Sequence, residues 1–202
     1  MSEGLPSVVT ETLDSVAIIR FNRPAQRNPL SLATLQELDR LIAPLFAGAI
    51  KAVIFTGAHD VFASGADIRE LAKLEPKEAK EFSEFGQTLF QKIATARAVT
   101  VAAINGYCMG GALDLALACD IRIASRFAKF SHPGARLGII TGWGGTQRLP
   151  QLIGRASALE FFATGRIFNS ETALAKGLVT QIADPILPAA LDLVAQLPQV
   201  KS

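Results

Sequence analysis

Residues 104–114 of this chain read INGYCMGGALD, and residues 62–70 read FASGADIRE. Each stretch follows an apolar run typical of a buried strand and leads into a segment with the periodicity of a helix. A glycine-rich turn at a helix start leaves backbone N–H groups without a partner, and such groups can hold an anion or a developing oxyanion. The two stretches therefore predict a pair of anion-binding loops, although glycine also suits any tight strand-to-helix turn.

Short strands and helices alternate on both sides of the two loops. The sequence predicts strands at residues 8–12, 16–21, 51–56, 99–104, 121–124 and 178–182. It predicts helices at 31–46, 77–94 and from 185 onward, and one or two helices at 146–164. Ser31 is expected to cap the first of these helices, and Ser170 to cap a short helix that ends at Lys176 before Gly177. Because the strands lack strict alternation of polar and apolar residues, we expect an α/β domain with parallel sheets covered on their faces.

The composition limits the classes of partner. The 202 residues include 20 lysines and arginines against 18 aspartates and glutamates, a net charge of +2 that indicates neither a nucleic-acid partner nor an acidic membrane surface. The longest uncharged stretch, residues 98–113, is too short to span a bilayer, and the first residues show no secretory signal. Cys108 and Cys119 indicate reduced, buried thiols. We expect a cytoplasmic protein with no membrane partner and no metal.

The two loops carry the chemistry that the residues themselves predict. The backbone N–H groups of Ala66 and Gly111 are expected to converge on one acyl oxygen and to stabilise the charge that develops on a thioester carbonyl during reaction. In comparable sites each such donor lowers the barrier by about 3–4 kcal/mol. The neighbouring residues Gly65, Gly110 and Ala112 are small, which lets a ligand carbonyl approach the backbone closely.

Further motifs occur in a fixed order along the chain. They are NRP at 22–24, NPLS at 28–31, ACD at 118–120, GGTQRL at 144–149 and KGLV at 176–179. Together with the two loops, they resemble the crotonase, or enoyl-CoA hydratase/isomerase, superfamily over nearly the whole chain. The resemblance implies a spiral of repeated ββα units, an acyl-CoA thioester as ligand, and a homo-oligomer of three or six chains. Coenzyme A would be part of the substrate, so no separate cofactor is expected.

The resemblance also implies roles for individual residues. Ala66 and Gly111 would supply the oxyanion hole, and Asp67, Ile68 and Arg69 would border the pantetheine and adenine portion of coenzyme A. The whole substrate-binding set implied in this way is Ala66, Asp67, Ile68, Arg69, Gly110, Gly111, Pro133 and Gly134, with Asp114 added as a catalytic residue.

Three positions depart from the pattern of the family. Hydratases of the family carry two glutamates, and the matching positions here are Asp114 and Gly134; a third position, where some isomerases and a dehalogenase place an aspartate, is Gly142. One acid/base group can move a proton between two carbons or activate water against a thioester, whereas concerted hydration uses two. Asp114 is therefore either an acid/base group or a carboxylate that satisfies backbone donors at a helix N-terminus.

Residues near these positions have open roles. His132 is either structural or a substitute acid/base group, while Tyr107 and Trp143 are expected to be wall or core residues. Family members continue beyond Val179 into several C-terminal helices, whereas this chain has room for one. We therefore predict a crotonase-like acyl-CoA-binding core at 1–182 and, at 183–202, a remnant of the C-terminal helical region, in a chain that is either a shortened form or a fragment.

Three functions follow as hypotheses. The first is an acyl-CoA enzyme of the enoyl-CoA hydratase/isomerase type that stabilises a thioester enolate, with hydratase activity in doubt because of Gly134. The second is a catalytically silent acyl-CoA-binding or assembly protein. The third is a thioester hydrolase or decarboxylase that uses one acid/base group. A dinucleotide-binding domain is set aside, since neither loop has the G-x-G-x-x-G spacing.

Overall fold

The computed structural model describes residues 6–197. Its strands are β1 (Val8–Leu13), β2 (Val16–Phe21), β3 (Pro29–Leu30), β4 (Ala52–Gly57), β5 (Val61–Ala63), β6 (Gly65–Ala66), β7 (Val99–Ile104), β8 (Tyr107–Met109), β9 (Ile121–Ala124), β10 (Lys129–Ser131), β11 (Phe168–Asn169) and β12 (Gln181–Ile182). Its α-helices are α1 (Leu32–Ala47), α2 (Ile68–Leu71), α3 (Pro76–Ala94), α4 (Gly111–Ala118), α5 (Gly145–Ile153), α6 (Arg155–Thr164), α7 (Ser170–Ala175) and α8 (Ile186–Ala195).

The main sheet has six strands in the order β1-β2-β4-β7-β9-β12. Only β1 is antiparallel to its neighbour, through a hairpin in which Asp14 has a φ of 52°. All six residues of β4 are buried, as expected for a parallel strand that is covered on both sides. One face packs against the core shared with α1, α3 and α4, and the other against Ile186, Ala190 and Val194 of α8. The predicted α/β class with a parallel sheet is confirmed.

A strand–strand–helix unit repeats along the chain. The pairs β4–β5, β7–β8 and β9–β10 each place their first strand in the main sheet and their second in a four-stranded sheet of order β11-β10-β8-β5. Helices follow each pair, and the chain thereby winds as the predicted spiral of ββα units. The second strands are only three residues long, too short to be recognised from the sequence, and β5 and β8 lie in or beside the two glycine-rich stretches.

Two predicted boundaries were wrong at the end of the chain. Asn169, not Ser170, caps α7, because its side chain accepts from the Thr172 N–H, whereas the Ser170 hydroxyl donates to the Ser125 carbonyl. The strand predicted at 178–182 is limited to Gln181–Ile182. Leu178 instead belongs to the C-terminal cap of α7. Gly177 has a φ of 75° there, and the Leu178 N–H donates to the Ala173 carbonyl.

Other expectations agree with the fold. Ser31 caps α1 by accepting from the Thr34 N–H. Of the one or two helices predicted at 146–164, the structure has two, which are divided at Gly154. Both cysteines are buried and unbonded to each other. Within residues 6–197, no helix combines the length and the apolar character needed to cross a membrane. The division at residue 183 stays a prediction.

Candidate active site

The two glycine-rich loops meet at Gly65 and Gly111. Gly65 has a φ of 86°, and a Cβ atom there would lie 2.6 Å from the backbone nitrogen of Gly111 and 2.6 Å from the Met109 carbonyl oxygen. Only glycine allows this approach. It brings Ala66, the next residue, beside the first residue of α4, whose N–H has no partner within its own helix. Their predicted role as donors to an acyl oxygen stays a prediction.

A buried asparagine holds the first loop in place. Asn28 adopts a φ of 48°, and its amide donates to the carbonyls of Val61 (2.9 Å) and Phe62 (3.1 Å). Its side-chain oxygen accepts from the Arg23 N–H at 2.6 Å. The following residues form β3, which pairs with β6 so that Leu30 lies opposite Ala66. The NRP and NPLS motifs therefore support the first loop, a role that the sequence alone did not reveal.

A second asparagine ties the other loop to the turn that precedes the first. Asn105 accepts from the Gly57 N–H at 3.0 Å and donates to the His59 carbonyl at 2.7 Å. The backbone of Gly110, with a φ of 55°, donates to the Ser131 carbonyl at 2.9 Å. These hydrogen bonds fix the path of the backbone that leads into the first turn of α4.

Asp114 lies in the first turn of α4 and is 1% exposed. The Thr141 hydroxyl and the Trp143 backbone N–H donate to its carboxyl group. A Cβ at Gly145 would overlap Oδ1, so the start of α5 packs directly on the carboxyl. Burial raises the pKa of Asp114 to about 7, against the opposing effect of the two donors and of the Arg148 charge. The carboxyl group is therefore poised between its two protonation states near neutral pH.

His132 faces Asp114. The imidazole is 6% exposed, and its Nε2 lies 3.9 Å from Asp114 Oδ1. Its ring packs edge-on against Phe162, with 5.3 Å between the centroids. Burial lowers the pKa of His132 to about 4, so the ring is neutral at pH 7 and the two residues form no ion pair there. The sequence named this residue without placing it, because nothing in its local pattern reveals a partner 18 positions away.

Backbone atoms leave no room for a side chain at position 134, which matches the second family glutamate. Gly134 lies in a 3-10 turn, Pro133–Leu137, and its carbonyl accepts from the Ile139 N–H at 3.0 Å. A Cβ at Gly134 would come within 2.5 Å of the Ile139 carbonyl oxygen and 3.3 Å of His132 Nδ1. At Gly142 a Cβ would meet only the Ser83 side chain, 2.9 Å from its hydroxyl oxygen, which donates to the Gly142 carbonyl and would have to shift. A side chain at 134 therefore requires a different loop path, whereas one at 142 does not.

Trp143 forms a wall beside the second loop. Its indole is buried against α3, with centroid distances of 5.3 Å to Phe82 and 5.5 Å to Phe90. A Cβ at Gly86 or at Gly111 would overlap the ring. The expectation of a wall or core residue is confirmed for Trp143. It was wrong for Tyr107, which is 39% exposed beneath Lys129 because β8 turns that side chain outward.

The residues expected to border coenzyme A lie at the start of α2. Asp67 caps this helix and forms a two-point ion pair with Arg69, with distances of 3.0 Å from Nε to Oδ1 and 2.7 Å from Nη2 to Oδ2. The side-chain hydrogen bond from Arg69 holds the pKa of Asp67 below its usual value. Ile68 is exposed. The three residues form a solvent-facing rim that follows directly on Ala66.

Comparison with known proteins identifies the family of the chain. The model of the enoyl-CoA hydratase/isomerase family matches residues 11–199. A crotonyl-CoA hydratase of Syntrophomonas wolfei is 38% identical over 181 residues, which are 89% of this chain and 70% of that protein. A short-chain-enoyl-CoA hydratase of Clostridium acetobutylicum is 37% identical over 183 residues, 90% of this chain and 70% of that protein.

Solved structures show the same likeness. The structure of Pseudomonas aeruginosa DspI superposes with a TM-score of 0.90 at 36% identity and covers 97% of this chain and 82% of that one. An enoyl-CoA hydratase from Bacillus anthracis has a TM-score of 0.90 at 34% identity, over 94% of this chain and 76% of that one. The chain belongs to the enoyl-CoA hydratase/isomerase family. It is an acyl-CoA-processing protein of that type.

Proposed function

We propose that this chain catalyses proton transfer at the α-carbon of an enoyl-CoA thioester, with Asp114 as the acid/base group and the N–H groups of Ala66 and Gly111 as the oxyanion hole. The observation that carries the proposal is the position of Asp114. Asp114 has a buried carboxyl in the first turn of α4. The first residue of that helix, Gly111, lies against Gly65 of the other loop. A thioester oxygen at that junction would place its α-carbon on the side of α4 where Asp114 lies.

The chemistry follows from the two parts of the site. The ionised carboxylate takes a proton from the α-carbon, and the C–H electron pair moves into an enolate whose charge rests on the thioester oxygen. Preorganised N–H donors stabilise that charge, as does the N-terminus of α4. The protonated Asp114 then returns the proton to the α- or the γ-carbon. Return to the γ-carbon converts a 3-enoyl thioester into its 2-enoyl isomer. A pKa near neutrality suits a group that must both take and give a proton.

The substrate would carry its own coenzyme A, so the reaction needs no separate cofactor. The rim of Asp67, Ile68 and Arg69 is the surface that we assign to the pantetheine and adenine portion. It is continuous with Ala66, and the Arg69 guanidinium stands in solvent while it is anchored by Asp67. A charge held in this way loses little side-chain freedom when an anionic ligand binds.

A matched pair of variants tests the proposal. We expect the wild-type protein to convert a 3-enoyl-CoA into the conjugated 2-enoyl-CoA, followed by the absorbance of the enoyl thioester. Asp114→Asn is expected to reduce the rate by about 10²-fold or more, while Asp192→Asn, a change on the exposed side of α8, leaves the rate unchanged. Equal rates in the two variants would remove Asp114 from the mechanism. Binding without any reaction would favour the silent acyl-CoA-binding alternative, and release of free coenzyme A would favour thioester hydrolysis.

A further inference from the structure

Two buried polar atoms of the described residues lack a hydrogen-bond partner. They are Asp114 Oδ1 and His132 Nε2, and they face each other across 3.9 Å. A buried polar atom without a partner destabilises the folded state, so native proteins keep few of them, and each needs an explanation. Here two occur at one point of the candidate active site.

The surroundings offer no other partner for either atom. The donors to Asp114, from Thr141 and Trp143, leave Oδ1 free, and Gly145 packs against that oxygen without a side chain. The ring of His132 is fixed by Phe162, and the glycine at 134 adds no group to it. Two other groups interact electrostatically with the carboxyl: the Arg148 charge, which lowers the pKa of Asp114, and the Cys108 thiol. The Cys108 thiol, whose pKa burial raises well above its usual value, stays neutral.

We infer that His132 is the second acid/base group of the site and that, with Asp114, it holds the water that adds to a 2-enoyl-CoA. A single water placed to one side of the gap can reach atoms 3.9 Å apart at hydrogen-bond distance from both. The inference rests on the proposed function and adds hydration to it. His132 would take the acid/base role of the second family glutamate, whose position here, Gly134, has no side chain.

The hydration step balances with this pair. His132 Nε2 takes a proton from the water as the water oxygen bonds to C3 of the enoyl thioester. The electrons of the C2–C3 double bond move towards the thioester oxygen, and C2 then takes the proton of Asp114. One water has been added, and the pair is left as imidazolium and carboxylate. The next water to enter the gap takes a proton from Nε2 and gives one to Oδ1, which restores the starting state.

The protonation states agree with these roles. Because the pKa of Asp114 is raised to about 7 and that of His132 is lowered to about 4, a protonated acid and an unprotonated base coexist between these values. Environments that push two pKa values apart in this way define an acid and a base. His132 also lines a cleft of about 210 Å³ with Ile139, Ile140 and Phe162.

The test compares two reactions on the same preparations. Hydration of crotonyl-CoA uses both groups, whereas isomerisation of a 3-enoyl-CoA uses Asp114 alone. We expect His132→Gln to slow hydration by about 10²-fold or more and to retain isomerisation, which also shows that the variant is folded. Asp114→Asn should lose both reactions. His59→Gln, at the other histidine of the sequence, serves as the matched control because that residue lies exposed in a turn. In His132→Ala, added imidazole should restore part of the hydration.

Each other outcome has a definite meaning. Hydration by His132→Gln at the wild-type rate overturns the inference. So does an equal loss of both reactions in a folded His132→Gln protein, because that result makes His132 a positioning residue for Asp114. A wild-type protein that isomerises but does not hydrate overturns the inference and leaves the proposed function standing. Retention of isomerisation in Asp114→Asn, in contrast, overturns the proposed function.

Discussion

At the scale of single residues, the contributions of Asp114 and His132 to stability depend on pH in opposite directions. Burial raises the pKa of Asp114 from 3.8 to about 7, so the folded protein holds a proton that the unfolded chain releases in this range. Its contribution to the free energy of unfolding therefore decreases as the pH rises, by at most about 4 kcal/mol at 1.36 kcal/mol per pKa unit. The pKa of His132 is lowered from 6.5 to about 4, so its contribution decreases as the pH falls, by at most about 3 kcal/mol.

Two variants should separate these contributions. Asp114→Asn removes the buried ionisable acid, and its amide can accept from Thr141 and donate to His132. We expect a higher free energy of unfolding than wild type at pH 8 and no gain near pH 4. As the pH falls from 6.5 to 4, the free energy of unfolding of His132→Gln should decrease less than that of the wild type. Urea unfolding at fixed pH values measures both changes, and parallel curves for all three proteins would contradict the assigned pKa values.

The two reactions should differ in their pH profiles. Isomerisation starts from ionised Asp114, so its kcat/KM should rise as the pH passes through about 7. Hydration starts from protonated Asp114 and neutral His132, so its kcat/KM should be greatest between about 4 and 7 and fall above that range. Initial rates with crotonyl-CoA and a 3-enoyl-CoA across this range provide the measurement. Profiles of the same shape would show that one protonation state serves both reactions.

The glycine-rich turns at Gly65 and Gly110 were predictable from the sequence, whereas the contact between Asp114 and His132 was not. Ala66, Gly111 and Asp114 stand in local patterns of glycine and helix start that short segments encode. The contact between Asp114 and His132 depends on the path of β10 beside β8, and therefore on pairing between strands that are remote in sequence. No local pattern contains that distance, so the sequence left His132 as either a structural residue or a substitute acid/base group.

At the scale of elements, the turn after His132 decides which side chains the site can hold. We expect Gly134→Glu to destabilise the protein by about 1–3 kcal/mol, because its Cβ would press on the Ile139 carbonyl and the turn must move. It should not increase hydration. Gly142→Ala is the matched control, since only the Ser83 side chain would have to shift. Urea unfolding and crotonyl-CoA hydration of both variants give the comparison, and a Gly134→Glu protein of wild-type stability would show that the turn yields easily.

The elements that the sequence missed were the shortest ones. The strands β5, β8 and β10 have three residues each, and β3, β6 and β11 have two, too few for an alternating pattern to stand out. The longer strands β2, β4 and β7 and the helices α1 and α3 carry clear apolar patterns, and their predicted bounds lie within one or two residues of the observed ones. Length and periodicity therefore separate what could be predicted from what could not.

At the scale of the whole molecule, an apolar surface lies next to the site. Ile140 is 67% exposed and Leu159 is 65% exposed, and both line the cleft that His132 borders. Exposed apolar side chains gathered at one place are typical of an interaction surface. We propose that copies of this chain associate through it, in line with the trimer or hexamer that the family resemblance implies.

A charged substitution tests this association. Ile140→Glu is expected to shift the protein towards smaller species in light scattering coupled to size exclusion, because it places a charge in an apolar contact. Glu171→Gln, on the exposed face of α7, should leave the mass unchanged. A wild-type protein that elutes as a monomer at all concentrations would contradict the proposed association.

The carbonyl of Ile139 also has an evolutionary consequence. A single nucleotide change converts some glycine codons into glutamate codons. At position 134, however, the Ile139 carbonyl oxygen already occupies the space of the Cβ atom. The substitution can be useful only in a lineage where residues 135–141 have first taken another path, so its benefit depends on the order in which mutations arrive. Selection acting one mutation at a time would then keep this loop without a carboxylate, even where a second carboxylate would make a faster enzyme.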